Sequence, residues 1–496
     1  MGIIHHRFAL WGWLYALSLL PLAAKAHDVL TLDSCRRLAL ENNKALLIQR
    51  EQVKAATYQR KAAFTNYLPK LSASGGYLHT TREISILNQR QKNALAQMGS
   101  SMGGSLQNAI EAIGQLRPEL VPLLQQLGSE LLPQLDATGK HISDAFRTDT
   151  RNTWTGALTL TQPLYLGGKI HAYNKITQYA EELARQQEKA GMQDVILSTD
   201  EVYWRVVSLA NKKELAENYL KLLEHLNGDM EKLVAEGVAT KADELTVKVK
   251  LNEAEMTLVK VSDGLSLTRM LLCQLCGIPL QTPVTLADET LGVMPGAGDD
   301  TPPATDASGE PTFNQRPELR SLGLAADIAR QQIRITRSEF LPSLALTGGY
   351  LVSNPSVFNG FEKKFNGMWS VGVMLQVPLF HWGEGIYKVK AARSEALMAR
   401  YRLDETREKI ELQVQQATFR LNETKHKLTL TERNEERADE NLRYARLGFS
   451  EGVIAVSNLL EAQTAWLSAH SDRIDAQIDA RLARLYLQKS LGTLHP

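Results

Sequence analysis

Four segments of the chain alternate apolar residues with small or polar ones. The first pair lies at 71–77 and 154–161, and the second pair lies at 344–350 and 369–377. A period of two predicts strands that have one apolar face and one face of small or polar side chains. The pattern fits a half-buried sheet, and it also fits the wall of a membrane barrel with lipid outside and water inside.

Proline residues bound the predicted strands at equivalent places in the two pairs. They are Pro69 and Pro342 before the first strands, and Pro163 and Pro378 at the ends of the second strands. Before Pro69, a spaced apolar stripe predicts a helix that begins at Thr31 or Asp33 and runs to about Tyr67. This helix is expected to stop there because proline lacks an N–H group and favours extended geometry in the preceding residue.

Two long helical stretches follow the strand pairs, at about 169–277 and 385–491. Each stretch contains one break, near Gly237 and near Gly452, where glycine lets the chain reverse. A helix of about 60 residues is roughly 90 Å long, and it needs neighbours along its whole length. The stretches therefore predict two coiled-coil hairpins.

The chain is a tandem duplication. The segment YLPKLSASGGY returns as FLPSLALTGGY, and AEGVATKADEL returns as SEGVIAVSNLL. Gly237 and Gly452 lie 215 positions apart, as do Gly277 and Gly492. One shared offset over such a distance indicates two copies of a single helix-strand-strand-helix unit.

The duplication also predicts the domain organisation. Residues 1–26 have the basic start, apolar stretch and small-x-small cleavage site of a secretory signal peptide. The first repeat spans 27–277 and the second spans 313–496, with a linker rich in Pro, Gly and Asp at 278–312. Between its strands the first repeat carries an inserted surface loop, 81–150, which contains an apolar and helical part.

Composition excludes several classes of function. The formal net charge is +1, from 56 basic and 55 acidic residues, which argues against a nucleic-acid partner. After the signal peptide, no run of about 20 apolar residues predicts a transmembrane helix. The sequence carries no metalloprotease, serine-hydrolase or P-loop motif, so no enzyme, cofactor or metal centre is expected. Cys273 and Cys276 fit buried helix positions, with a redox or metal pair as the alternative.

Four strands cannot close a barrel, because about eight are needed for even a side-chain-filled interior. Open strand edges in lipid would leave unpaired N–H and C=O groups, each of which costs several kcal/mol. If these strands cross a membrane, several copies of the chain must therefore contribute strands to one barrel. The helices would then continue the barrel as a tube.

The chain resembles the TolC/OprM-type outer-membrane efflux proteins. The resemblance rests on LTLDSCRRLALENN at 30–43, the two LP-x-L…GGY strand starts, the strand-Pro-Leu-aromatic exits, the Gly-Val turns and the duplication. It implies an α+β membrane protein that forms a homotrimer. In that trimer a twelve-stranded β-barrel, in the outer-membrane lipid of a Gram-negative bacterium, sits on a twelve-helix α-barrel that extends into the periplasm. It further implies docking to a periplasmic adaptor (membrane fusion protein) and an inner-membrane transporter, and a channel without cofactors.

The resemblance also assigns two functional regions by matching positions. The helix tips that meet the adaptor match Glu236, Gly237, Val238 and Ala239, and Glu451, Gly452, Val453 and Ile454. The periplasmic gate, or constriction, matches Asp243, Phe449, Asn458 and Glu461. In the family, an acid at the first of these positions pairs with an arginine, which Ile454 replaces here, and Asn458 replaces a second acid. Three Glu461 side chains could form a cation-favouring ring. The alternatives are a solvated carboxylate for Glu461 and glycines that serve only the turns.

Two further alternatives follow from the sequence. A soluble periplasmic coiled-coil adaptor or structural protein would explain the helices, but it would not explain two pairs of strands at equivalent places. The sequence is compatible both with export of drugs, metabolites or metals and with protein secretion. The insertion 81–150 is expected outside the cell, where it partly covers the pore mouth, because it is apolar and joins two strands.

Overall fold

The computed structural model describes most of the chain after the predicted signal peptide. The described residues are 29–81, 87–146, 149–290, 312–356, 358 and 362–494. The signal peptide and most of the predicted linker lie outside them. The chain divides into a helical unit and a sheet unit. Of the described residues, those within Met1–Gln59, Thr177–Ala329 and Ser394–Pro496 form the helical unit, and those within Arg60–Ile176 and Arg330–Arg393 form the sheet unit.

The described residues form ten α-helices and four strands. The helices are α1 (Leu32–Asn42), α2 (Lys44–Phe64), α3 (Gln89–Ala96), α4 (Met98–Leu116), α5 (Val121–Ala145), α6 (Lys169–Ala235), α7 (Lys241–Cys276), α8 (Pro317–Ser338), α9 (Glu384–Ser450) and α10 (Val456–Leu491). The strands are β1 (Lys70–His79), β2 (Asn152–Leu166), β3 (Ser343–Asn354) and β4 (Asn366–Gln376).

The four strands form one antiparallel sheet in the order of the chain, with β1 and β4 at its edges. Direct cross-strand pairs join Leu71 to Leu160 and Tyr350 to Trp369, so apolar side chains of neighbouring strands share a face. The opposite face carries small and polar groups. There the hydroxyl oxygens of Ser72 and Thr159 lie 2.6 Å apart. The predicted alternation of the two faces is therefore confirmed.

Pro163 does not end its strand, as the sequence predicted, because β2 continues to Leu166. The last residue of β2 that pairs with β1 is Thr161, and Pro163 pairs only with β3, beside a register shift. Proline is tolerated at such a place, because the strand has one open side and the ladder is already irregular. Pro378, in contrast, follows the end of β4 at Gln376.

The first helix begins where the sequence predicted and is then interrupted. Thr31 Oγ1 accepts a hydrogen bond from the Ser34 N–H (3.2 Å) and caps α1. The expected single helix to Tyr67 is wrong, because Asn43 has extended backbone geometry between α1 and α2. The side-chain oxygen of Asn43 accepts from the Ala45 N–H (3.0 Å), so this residue ends one helix and starts the next.

The long helices repeat almost without change. α6 and α9 each contain 67 residues, and α7 and α10 each contain 36. The breaks between them fall at Gly237 and Gly452, which confirms the two predicted hairpins. None of the helices in the described residues combines the length and hydropathy that a membrane span needs.

Two large apolar clusters lie in the helical unit. The first joins α1, α6, α7 and α10, and it contains Cys35, Tyr203 and Leu272. The second joins both hairpins next to their turns, and it contains Leu223, Val247 and Leu459. The second cluster holds the ends of the two hairpins together, and this positions the candidate site.

Candidate functional site

The turn of the first hairpin is built around Gly237. Its φ angle of +76° lies in the left-handed region, which residues other than glycine rarely adopt. The Gly237 N–H donates to the Val234 carbonyl (3.1 Å), and the Val238 N–H donates to the Leu233 carbonyl (2.9 Å). These bonds satisfy carbonyl groups at the end of α6 and turn the chain toward α7.

The turn of the second hairpin has the same backbone. Gly452 has a φ angle of +72°. Its N–H donates to the Phe449 carbonyl (3.0 Å), and the Val453 N–H donates to the Gly448 carbonyl (2.8 Å). The predicted role of both glycines in chain reversal is therefore confirmed.

The two turns lie side by side and line one groove of about 680 Å³. The predicted residues in its lining are Glu236, Val238, Ala239, Asp243, Phe449, Gly452 and Ile454. Val238 and Val453 are 72% and 77% exposed, so each turn presents an apolar side chain to its surroundings. The structure therefore gathers most of the predicted tip residues into a single surface, which we call the tip groove.

The tip groove also contains residues that the sequence analysis missed. Met230 and Leu233 on the last turns of α6 form part of its apolar floor, and Asp229 and Lys232 add charge. Their only sequence signal is a position one or two helical turns before Gly237. This signal becomes meaningful only when the neighbouring hairpin is known.

Asn458 and Glu461 lie outside the tip groove. Both side chains are exposed on the first turns of α10. Of the four predicted gate residues, Asp243 and Phe449 therefore share the tip groove, whereas Asn458 and Glu461 do not line it. A ring of Glu461 side chains would require further copies of the chain.

A capping box fastens the first tip at the start of α7. Thr240 Oγ1 accepts from the Asp243 N–H (3.2 Å), and Asp243 Oδ2 accepts from the Thr240 N–H (3.1 Å). The Thr240 hydroxyl also donates to Asp243 Oδ2 (2.6 Å). This bond first, and the bond from the Thr240 N–H second, hold the pKa of Asp243 below its usual range. In this chain Asp243 is thus the partner of a helix cap, and no arginine is needed to hold it.

A network of ion pairs also connects the first tip to α6. Lys248 Nζ contacts Glu244 (2.9 Å) on its own helix and Glu231 (3.1 Å) on α6, and Lys241 also contacts Glu244 (2.7 Å). The lysine partners lower the pKa of Glu244, with Lys241 the larger cause. The network therefore ties α6 to α7 within the first turns after the reversal.

The second tip lacks such a cap. Ala455 occupies the position before α10 and makes no side-chain hydrogen bond to the helix end. Ile454 instead packs near the backbone of Gly448, where an added methyl group would lie 3.3 Å from Ile454 Cγ2. An isoleucine at this position offers apolar contact but no ion pair.

The three cysteines form a buried group in the first apolar cluster. Cys35, Cys273 and Cys276 are free thiols and all are fully buried, which confirms the predicted burial of the last two. Cys276 Sγ lies 3.6 Å from the carbonyl oxygen of Cys35. Burial raises the pKa of Cys273, so this thiol is held in its neutral and unreactive form.

The sheet unit presents a second candidate surface. On the apolar face, the side chains of β4 are largely open, with Trp369 and Val373 75% and 63% exposed. The rings of Tyr77 and Trp154 pack together at one end of this face, with centroids 4.6 Å apart. An apolar sheet face with aromatic residues at its end is the pattern of a lipid-facing barrel wall.

Together, the fold and the tip groove define a duplicated protein of long helical hairpins that carries a four-stranded sheet with an exposed apolar face. Comparison with known proteins gives this class its name. The chain belongs to the outer membrane efflux protein family, whose profile matches residues 124–277 and 312–493. It is therefore an outer-membrane transport protein, and this membership favours the channel over the soluble coiled-coil alternative.

Two relatives illustrate the similarity in sequence. The alkaline protease secretion protein AprF of Pseudomonas aeruginosa is 25% identical over 380 residues, which cover 73% of this chain and 77% of AprF. The outer membrane protein TolC of Escherichia coli is 21% identical over 395 residues, which cover 75% of this chain and 77% of TolC.

Solved structures share the fold at lower identity. The CmeC outer membrane channel of Campylobacter jejuni matches with a TM-score of 0.70 and 16% identity, over 93% of this chain and 85% of CmeC. The outer membrane protein VceC of Vibrio cholerae matches with a TM-score of 0.68 and 16% identity, over 93% of this chain and 96% of VceC.

Proposed function

We propose that the chain is one subunit of a homotrimeric outer-membrane channel, the exit duct of a tripartite efflux or type I secretion system. The observation that carries this proposal is the sheet. Its apolar face is exposed, and the outer sides of its edge strands β1 and β4 pair with no other strand within the described residues. In lipid, these edges require strands from other copies. Three copies of a four-stranded sheet would supply twelve strands, which is enough to enclose a pore.

The strand dimensions support a membrane location for the sheet. The four strands contain 10, 15, 12 and 11 residues. A tilted strand that crosses a bilayer needs about 9 to 11 residues. The long hairpins would then extend into the periplasm, as the second part of the same duct.

In this proposal the tip groove is the docking site for a periplasmic adaptor, which connects the duct to an inner-membrane transporter. Its apolar side chains and two neighbouring turns support this role, because an exposed apolar patch rimmed by polar groups favours a protein partner. Glu461, with Asp243, Phe449 and Asn458, is proposed to line the periplasmic gate of the assembled trimer.

The relative AprF carries alkaline protease secretion in its name, so we include a secreted protein among the proposed cargoes of this chain. Comparison of the proteins secreted by a host strain with those secreted by a deletion strain tests this branch. A protein missing from the deletion strain's medium, and restored by the intact gene, would support secretion. An unchanged set of secreted proteins would favour small-molecule efflux.

Planar-bilayer conductance of the detergent-purified protein tests the channel, with the wild type beside Glu461→Ala. The proposal expects cation-selective channels that lose selectivity in the variant, because a carboxylate ring favours cations. If the variant keeps the selectivity of the wild type, the proposed duct stands, but Glu461 does not line the gate. Absence of a trimer in mass photometry would contradict the proposed function itself.

A further inference from the structure

The insertion between β1 and β2 contains a tightly packed helical hairpin. α5 packs against α4 and α3 through glycines at positions where a side chain would not fit. A methyl group added to Gly99 would overlap the Leu132 carbonyl, and one added to Gly139 would overlap the Leu95 carbonyl of α3. The inward face of α5, which includes Val121, is therefore already covered by its own chain.

A second apolar stripe runs beside this packed face, along α5 and the single 3₁₀ turn that precedes it. It consists of Leu120, Leu123, Leu127 and Leu131, which are 43%, 56%, 44% and 48% exposed. We call it the leucine stripe. Its residues recur at intervals of three and four, so they lie on one face of the helix. Leu116, 83% exposed at the adjoining turn, extends the apolar surface. Apolar patches of this kind mark interaction sites.

Polar residues separate this stripe from the apolar face of the sheet. Beyond the Tyr77–Trp154 pair, His79 Nδ1 and Asn152 Oδ1 lie 2.8 Å apart. The next described residues include an ion pair between Arg151 and Asp149 (2.8 Å). Charged and polar groups of this kind occur outside the hydrocarbon layer. The insertion therefore starts where the lipid-facing part of the sheet has ended, so hydrocarbon chains are a poor occupant for the stripe.

Copies of the same chain are a better occupant. The insertion leaves the sheet from β1, which is an edge strand and which pairs with β4 of a neighbouring subunit in the proposed trimer. In the proposed trimer, each insertion therefore begins next to a neighbouring subunit. Leucines at intervals of three and four are the pattern by which helices pack against like helices, and a symmetric assembly brings identical stripes together.

We propose that the leucine stripes of the three subunits pack against one another, and that they join the three insertions into one cap over the outer mouth of the channel. The inference rests on the proposed trimer. The insertion joins the ends of β1 and β2 opposite to those that continue into α2 and α6. A cap at this end would narrow the exit of the duct.

Cysteine crosslinking of the full-length protein tests the contact. Leu127→Cys lies in the stripe, and Ser129→Cys is a matched control that is exposed on another face of α5. The three native cysteines are fully buried, so the wild type gives the background for a short bismaleimide. The proposal expects a covalent dimer from Leu127→Cys and none above background from Ser129→Cys. Only dimers form, because each chain carries one accessible thiol.

Equal dimer yields from the two variants, or none from either, would overturn the cap if mass photometry still shows the trimer. Loss of the trimer in the wild type would instead contradict the proposed function. A second variant, Leu123→Glu combined with Leu127→Glu, tests the effect on the pore. Mutual repulsion of three charged stripes should separate the insertions and raise single-channel conductance. Unchanged conductance in an intact trimer would show that the insertions do not narrow the exit.

Discussion

The two helix tips share one backbone conformation, but different side-chain contacts stabilise them. Gly237 and Gly452 have φ angles within a few degrees of each other, and the hydrogen bonds around them join equivalent atoms. Beyond the glycines the tips diverge. The first tip holds its new helix with Thr240 and Asp243, whereas the equivalent residues of the second tip are Ala455 and Asn458.

The second hairpin is instead fastened away from its turn. The indole N–H of Trp466 donates to Asp439 (2.6 Å), which also contacts His470 (2.9 Å). Arg473 pairs with Glu435 (2.8 Å). These contacts join α9 to α10, but they leave the first turn of α10 dependent on apolar packing.

This difference shows which features a duplicated unit must keep. The glycine is required in both copies, because the reversal needs a left-handed residue at this point. The cap is optional, because apolar packing against the other hairpin can hold the turn. We infer that the first tip is the more rigid wall of the tip groove and that the second tip is the more easily deformed one.

Proline in place of either glycine should have the largest effect on export. The effect should be the same at both tips, because both turns need the left-handed residue. Gly237→Pro and Gly452→Pro each impose a negative φ angle and remove one N–H donor, at a cost of about 3 kcal/mol or more. We expect both variants to lose export while the trimer remains folded, because the sheet unit contains neither residue. An export assay beside heat-modified gel migration measures both properties.

Alanine at the same positions is the control. It keeps the N–H group and costs roughly 1–2 kcal/mol in the left-handed region, so export should fall less than in the proline variants. Retained export and retained adaptor crosslinking in both proline variants would refute the proposed role of the tips.

Transfer of the helix cap from the first tip to the second should make the second tip the more stable of the two. Ala455→Thr with Asn458→Asp places a capping box at the second tip, and Thr240→Ala removes it from the first. Each change is worth about 1 kcal/mol of local stability, or roughly a fivefold change in amide exchange. Hydrogen exchange of the first turns of α7 and α10 measures the effect. Asn458→Asp alone supplies the matched control.

Asn458→Asp alone should slow exchange less than the double variant, because it adds a charge near the helix N-terminus without the hydroxyl acceptor. Faster exchange at α10 in the double variant would mean that the second turn cannot adopt the capped geometry. The inferred contrast between the tips would then have another cause.

Much of this architecture was predicted from local signals. The alternation at 71–77, for example, specified which side chains share a face, because a strand has a fixed period. The left-handed turn at Gly237 is equally local. The break at Asn43 was missed, because its amide nitrogen donates to Leu275 of another helix (3.4 Å), and such a partner cannot be read from nearby residues.

The candidate site was predicted less completely for the same reason. Met230 and Leu233 belong to the tip groove only because the second hairpin lies beside the first. The capping box is a different case. Thr240 and Asp243 have the spacing of a known helix-start signal, so the fastening of the first tip was readable in the sequence.

Acid should weaken the first tip selectively, with the smallest of the expected effects. The pKa of Asp243 is lowered in the folded chain, so its contribution to stability is present above the unfolded pKa of about 3.9 and is lost as pH falls through the folded value. Glu244 and Glu231 shift in the same direction and add to this loss. Asn458, the equivalent of Asp243 in the second tip, does not titrate.

Hydrogen exchange at pH 7 and below about pH 4, corrected for the intrinsic rates, measures the difference. We expect the first turn of α7 to lose protection relative to the first turn of α10. Thr240→Ala should reduce this loss, because the cap that responds to acid is already absent, and the remainder should come from the lysine–glutamate network. Equal loss at both tips would mean that acid acts on the apolar packing that the hairpins share, and that the capping box does not distinguish them.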